Sequence, residues 1–137
     1  MLQIGDTYSD FVVFHQEDVE TFARLTGDYN PIHFENQENI FNTLTRPVVH
    51  GMYAASAFSG VLGTVFPGKG SIALYRELTF IRPVFVGESY AMIFKIVEID
   101  YSKSLGVIKS TLKNEKGQIC IQGVSRIKNL SAFSLQQ

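Results

Sequence analysis

The chain has a single cysteine, Cys120, among its 137 residues. One cysteine excludes an intramolecular disulfide and the repeated cysteine spacing of structural zinc sites. Blocks of positive charge are also lacking, since 12 Lys and Arg are spread along the chain against 13 Asp and Glu, for a net charge of −1. Nucleic-acid binding depends on clustered positive charge, so no nucleic-acid partner is predicted.

Long apolar runs are missing as well. The longest, residues 52–66, contains Ser and Gly and falls short of the roughly 20 residues that span a bilayer. The N-terminus has neither a charged lead nor an apolar core, so no signal peptide is predicted. The composition, 45% hydrophobic and 18% charged, is typical of a folded globule. We therefore expect a cytoplasmic protein without a membrane partner, folded as one domain over residues 1–137.

Spacing-dependent motifs for cofactors and metals are scarce. Residues 67–70 are too short for a phosphate-binding loop. They also lack the following helix, beginning with Ser or Thr, that such a loop requires. No Ser-His-Asp pattern is evident, and no group of histidines and carboxylates has the spacing of a metal site. The sequence predicts no metal and no cofactor.

Hydrophobic periodicity predicts one strand followed by two helices. Residues 6–14 are strand-like, and residues 16–26 form a helix that ends at Gly27. Its apolar stripe is Val19, Phe22, Ala23 and Leu25. Residues 51–65 are small or apolar all round, which is typical of a helix buried on every side.

The rest of the chain is strand-like apart from one short helix predicted within residues 35–45. Four strands are predicted, with an interruption near Tyr75 in the first and a hairpin turn at residues 114–117 between the last two; their bounds are 71–80, 90–100, 105–114 and 118–129. The order predicts an α+β fold in which an antiparallel sheet wraps around the long buried helix.

Asp28 and His33 are the residues best suited to chemistry. Their spacing does not bring side chains together on a helix, but Pro31 makes a stiff bend that can point both into one space. A carboxylate and an imidazole can hold a water and move its protons, with Asn30 orienting either of them. Each residue also has a structural interpretation, Asp28 as a turn residue and His33 as a structural histidine.

Gly51 is the candidate for a second part of the site, next to the loop that carries Asp28 and His33. A glycine at the start of a helix leaves N–H groups uncovered, and these suit a carbonyl oxygen that gains negative charge. Gly51 is equally explained as a small N-cap, and His50 before it as a hydrogen-bonded structural residue. Ser59, about 12 Å further along the helix, is either a core hydroxyl or a pocket-lining group.

These motifs resemble a known family. Residues 22–35 closely resemble the hydratase signature of the MaoC-like family, although Glu35 stands where aspartate is common. Residues 46–52 are similar to its second motif, and residues 67–72 and 80–88 to its short (R)-specific enoyl-CoA hydratases. The resemblance implies a hot-dog fold and a homodimer whose sheets join edge to edge.

The resemblance also implies roles. Asp28 and His33 would be the catalytic dyad, Gly51 the donor to the thioester oxygen, and Asn30 a substrate-binding residue; Ser59 and Leu62 would line the acyl pocket. The implied reaction, in fatty-acid metabolism, adds water to a trans-2-enoyl-CoA to give (R)-3-hydroxyacyl-CoA.

Three alternatives stay open. A 3-hydroxyacyl-thioester dehydratase, acting on CoA or a carrier protein, would share the dyad. A non-catalytic acyl-CoA-binding protein would not need it, and thioesterases of this fold place their catalytic residues elsewhere.

Overall fold

The computed structural model describes residues 1–34 and 46–135. Its elements are β1 (Thr7–Val13), α1 (Gln16–Thr26), a 3₁₀ turn (Pro31–His33), α2 (Gly51–Thr64), β2 (Ile72–Phe80), β3 (Ser89–Asp100), β4 (Leu105–Lys113) and β5 (Ile119–Lys128). The strands and the two long helices that the sequence predicts are confirmed. The short helix predicted within residues 35–45 falls outside the described residues.

The strands form one five-stranded antiparallel sheet in the order β1-β3-β4-β5-β2. The predicted hairpin between β4 and β5 is closed by Asn114, whose side-chain Oδ1 accepts the N–H groups of Lys116 and Gln118. β2 pairs with β5, so β1 and β2 are the two edges of the sheet. The pairing of β2 shifts register between Ala73 and Tyr75, where the sequence predicts an interruption.

α1 packs through Val19 and Ala23, which are fully buried one turn apart. It ends at Gly27, whose φ of 80° is a left-handed conformation that glycine adopts without steric cost. Leu25 is 76% exposed, so its predicted place in the apolar stripe was wrong. Six residues after Val19, it lies about 240° around the helix axis from that side chain.

α2 packs one face onto the sheet. Phe58 meets Phe94 of β3 edge to face, with ring centroids 5.7 Å apart, and its ring also lies beside Gly123 of β5. Burying a side chain of this size contributes about 1.5–3 kcal/mol. The buried residues of α2 are Ala54, Ala55, Phe58, Val61 and Leu62.

The opposite face of α2 is exposed in the single chain, through Met52, Ser56, Ser59, Gly60 and Gly63. The prediction of a helix buried on every side was therefore wrong for one chain. Because many of its residues are small, their pattern does not indicate which face of the helix is buried. The five strands cover only one side of the helix.

β2 leaves large apolar side chains exposed. Ile72, Leu74, Tyr75 and Phe80 are 50% exposed or more, and only Leu78 is half-buried. An edge strand has no neighbour on its outer side, so these side chains lack part of the cover that a central strand receives. In the described residues, no helix is long and apolar enough to cross a membrane.

Candidate active site

The loop that follows α1 carries Asp28 and His33, and hydrogen bonds between its own residues hold it in place. Gly27 turns the chain out of the helix, and Asp28 Oδ1 accepts the N–H of Asn30 at 3.2 Å. Asn30 Oδ1 accepts the N–H of Ile32 at 3.4 Å and so caps the 3₁₀ turn that ends at His33. These local bonds restrict both the carboxylate and the imidazole before any ligand binds.

The loop brings the predicted pair together, with His33 Nε2 3.8 Å from Asp28 Oδ2. The His33 side chain is 8% exposed and the Asp28 side chain 48% exposed. The ring is thus set by its packing, whereas the carboxylate keeps access to water.

Val48 determines which His33 nitrogen carries the proton. Nδ1 of His33 lies 2.7 Å from the Val48 carbonyl oxygen, and because a carbonyl only accepts, Nδ1 must be the donor. The neutral ring then has a free lone pair on Nε2, which faces the Asp28 carboxylate. Both atoms are acceptors, so a donor is needed between them, and a water about 2.8 Å from each atom can donate one hydrogen to each of them.

The environment of His33 favours the neutral ring. Burial is the main cause that lowers its pKa below the ordinary 6.5, and His50 adds to the lowering. The hydrogen bond to Val48 and the charge of Asp28 oppose this shift without cancelling it. A neutral imidazole near pH 7 is ready to accept a proton from water.

A cavity of about 540 Å³ joins His33 to the start of α2. Gly51 is the first residue of this helix, and first-turn N–H groups have no carbonyl partner within the helix. They suit an oxygen that gains negative charge. The cavity walls are mostly apolar: Ile32, His33, Val48, Val49, Gly51, Met52, Phe80, Ile81, Arg82, Pro83, Val84 and Ile121.

Phe80 of β2 lies against Gly51. A Cβ at residue 51 would stand 2.8 Å from Phe80 Cε1, which is closer than two carbon atoms approach without displacement. Glycine therefore lets the aromatic ring and the helix terminus share one wall of the cavity.

Comparison with known proteins identifies the family. Residues 4–117 match the family model described as MaoC like domain. The chain belongs to the MaoC-like family. It is 35% identical to an (R)-specific enoyl-CoA hydratase from Aeromonas caviae, over 93% of this chain and 95% of that protein.

Further relatives agree with this assignment. A solved (R)-hydratase from A. caviae superposes with a TM-score of 0.87 at 33% identity, over 93% of this chain and 96% of that one. A mitochondrial 3-hydroxyacyl-[acyl-carrier-protein] dehydratase from Arabidopsis thaliana is 26% identical, over 90% of this chain and 75% of that protein. The hot-dog fold predicted for this MaoC-like chain is confirmed.

Of the remaining predicted site residues of this MaoC-like domain, Ser59 and Leu62 lie away from the dyad, whereas Asn30 lies in the loop between its two members. The Asn30 side chain caps the 3₁₀ turn, Ser59 is exposed on the open face of α2, and Leu62 is 1% exposed in the core. Neither Ser59 nor Leu62 lines the cavity beside His33. Their substrate-binding roles stay predictions, and Glu35 falls outside the described residues.

Sequence reasoning missed Val48, Phe80 and the position of Arg82. Val48 and Phe80 carry no chemical signal, because a backbone carbonyl and an apolar ring become functional only through tertiary placement. Arg82 also lines the cavity, and its Nη1 donates to the Ile119 carbonyl at 2.6 Å.

Asp28, His33 and His50 bring their ligand-type atoms within 4.8 Å of one another, as no other such group in residues 1–34 and 46–135 does. The two imidazole rings stack, with centroids 3.7 Å apart. Metal ligation requires lone pairs that converge on one point, whereas stacked rings direct theirs side by side. The arrangement therefore favours acid–base chemistry over metal binding.

Proposed function

We propose that the chain is an (R)-specific enoyl-CoA hydratase, a hydro-lyase that adds water to a trans-2-enoyl-CoA. The observation that carries the proposal is the placement of His33 Nε2 and Asp28 Oδ2, 3.8 Å apart beside a cavity that also contains Gly51. The 35% identity to the A. caviae (R)-specific enoyl-CoA hydratase supports the same activity.

The reaction begins with a water held between Asp28 and His33. Its oxygen attacks C3 of the enoyl group while one member of the dyad takes its proton, and the C2–C3 double bond shifts electrons toward the thioester. The thioester oxygen gains charge and accepts the N–H of Gly51. The dyad then delivers a proton to C2, so one water is added and the enzyme regains its starting protonation state.

The dyad works as a unit in this mechanism. Two titratable groups this close lose their protons in steps that belong to the pair. We therefore assign the proton transfers to Asp28 and His33 together. The hydrogen bond from His33 Nδ1 to Val48 keeps Nε2 directed at the water throughout.

A CoA thioester fits better than a thioester on a carrier protein. Arg82 is the only Lys or Arg among the described residues that line the cavity, and the chain has a net charge of −1. An acidic carrier protein would be attracted by a broad basic surface around the cavity. The apolar walls suit the acyl chain, and we propose that Ser59 and Leu62 limit its length from further along α2.

Dehydration of a 3-hydroxyacyl thioester is the second candidate. Similarity to the Arabidopsis dehydratase favours it, and by microscopic reversibility the same dyad and the same N–H group serve both directions. A purely acyl-CoA-binding role is less well supported, because binding alone has no need for a neutral histidine beside a carboxylate.

We further propose a cytoplasmic homodimer that acts in fatty-acid metabolism, with β2 of each copy at the interface. The exposed apolar side chains of this edge strand support self-association.

The test is a turnover assay with a short trans-2-enoyl-CoA. We expect the absorbance of the conjugated double bond to disappear and chiral chromatography to identify the (R)-3-hydroxyacyl product. The (S) product, or no turnover at all, would contradict the proposal. Running matched enoyl-CoA and enoyl-carrier-protein substrates side by side distinguishes the two thioester classes, and a higher kcat/KM for the carrier substrate would favour the second candidate.

A further inference from the structure

His50 contacts both halves of the dyad from one buried position. Its ring stacks on the His33 ring with centroids 3.7 Å apart and an interplanar angle of 29°. Its Nε2 lies 2.9 Å from the backbone carbonyl oxygen of Asp28, so this nitrogen carries the hydrogen and donates it. The next residue is Gly51, and His50 itself is the N-cap of α2.

The surroundings of His50 hold the ring firmly. It is 2% exposed, and Phe22 of α1 packs against it with centroids 4.8 Å apart and an angle of 56°. The His50 carbonyl accepts the N–H of Ala54 at 2.9 Å, which ties the backbone to the first turn of α2. One residue therefore connects α1, the Asp28 loop, the 3₁₀ turn and the N-terminus of α2.

Packing alone does not explain an imidazole here. Nδ1 of His50 is buried and finds no hydrogen-bond partner among the described residues. A buried polar atom without a partner destabilises the fold, and an apolar ring of the same shape would fill the space without that cost. What the apolar ring would lose is the hydrogen bond to Asp28.

We propose that His50 is a positioning residue for the hydration reaction, fixing the Asp28 backbone by hydrogen bonding and the His33 ring by stacking. This inference rests on the proposed function, because the geometry it maintains is that of the water-activating dyad. His50 does not touch the reacting atoms. It keeps the carboxylate, the imidazole and the Gly51 N–H in one fixed arrangement.

His50 also influences the protonation of the dyad. Two titratable groups in the described residues face His33: Asp28 from the loop after α1 and His50 from the start of α2. Burial is the largest cause that lowers the pKa of His33, and the second imidazole lowers it further. A variant that keeps the burial and removes only this imidazole is expected to raise the pKa of His33.

Two substitutions separate the two contacts. His50→Phe keeps a flat ring on His33 and removes the donor to Asp28. His50→Gln keeps an N–H donor near the position of Nε2 and removes the stacked ring. His15→Gln is the matched control, because His15 is exposed and its side chain makes no capping hydrogen bond at α1.

We expect kcat for enoyl-CoA hydration to fall about 10- to 100-fold in both His50 variants, with KM within about twofold of wild type, since misplaced catalytic groups slow the reaction more than they weaken binding. The acid limb of the pH–rate profile should move to higher pH in His50→Phe. His15→Gln should match wild type in all three respects. Circular dichroism and thermal melts verify that each variant is folded.

An NMR titration of the histidine rings makes the outcome independent of turnover. In His50→Phe, the His33 signals should titrate at higher pH than in wild type, with His15 as an internal reference. A folded His50→Phe with wild-type kcat, or with an unchanged His33 titration, overturns the positioning role. If wild type hydrates no enoyl-CoA, the proposed function fails, and the His33 titration alone then decides the role of His50.

Discussion

At the scale of single residues, the dyad combines a buried ring with an exposed carboxylate. Replacing Asp28 by Asn keeps the oxygen that accepts the Asn30 N–H and removes the charge that faces His33. We expect Asp28→Asn and His33→Ala each to lower kcat at least about 100-fold without unfolding the chain, the usual size of a lost acid–base contribution. Steady-state assays with an enoyl-CoA measure this.

Matched controls exist for both substitutions. Asp10→Asn removes an exposed carboxylate from β1, and His15→Ala removes an exposed imidazole before α1. Both should retain wild-type rates. Turnover that survives in Asp28→Asn or His33→Ala would move the chemistry to other residues.

The pH dependence of the rate reports on His33. Because burial lowers its pKa below 6.5, the ring stays neutral to lower pH, and activity should be lost only as the pH falls through that lowered value. We expect a bell-shaped profile of kcat/KM whose acid limb lies below 6.5. The apparent value belongs to the coupled pair. An acid limb at or above 6.5 would show that a protonated ring, or another group, controls the reaction.

Part of this site can be read from residue types. A carboxylate and an imidazole on either side of a proline indicate acid–base chemistry without a structure. The contacts of His33 with Val48 and His50 cannot be predicted in this way, because they depend on where residues 46–50 lie relative to the loop. No local sequence pattern predicts this tertiary placement.

At the scale of elements, the start of α2 offers a substitution that removes one hydrogen-bond donor. Proline is well tolerated at the first position of a helix, and the extended backbone of His50, with φ −52° and ψ 129°, is compatible with a following proline. Gly51→Pro therefore keeps the helix and deletes the N–H, while it also adds carbon atoms beside the Phe80 ring. We expect kcat to fall about 10²- to 10³-fold, as when one oxyanion donor is lost.

Gly51→Ala is the matched control for this experiment. Both variants place a Cβ against the Phe80 ring, but alanine keeps the N–H. The comparison of their kcat values in enoyl-CoA assays isolates the donor from the steric effect. Equal losses in the two variants would show that the N–H contributes nothing and that the crowding of Phe80 accounts for the change.

Periodicity predicts the elements well and their exposed faces less well. Alternation places β3, β4 and β5 correctly, because each has neighbours on both sides and one face against α2. Ile72 and Leu74 alternate in the same way, yet both are exposed, since β2 is an edge and its pairing with β5 shifts register between Ala73 and Tyr75. The sequence pattern predicts the strand but not its position in the sheet.

At the scale of the whole molecule, the exposed face of β2 ends at the cavity that contains His33 and Gly51. Phe80 is the last residue of β2 and lines the cavity beside Gly51. An edge strand covered by a second copy would remove apolar surface from water and fix Phe80 at the same time. Assembly and activity should therefore change together.

The prediction at this scale concerns Leu74, which is 57% exposed on β2. We expect the wild-type chain to sediment at twice its 15.4 kDa and Leu74→Lys to sediment as a monomer with reduced kcat, because a charge would be buried at the interface. Phe11→Lys is the matched control, since Phe11 is 73% exposed on the opposite edge strand β1. Analytical ultracentrifugation would contradict the β2 interface if wild type were monomeric, or if Phe11→Lys dissociated the assembly and Leu74→Lys did not.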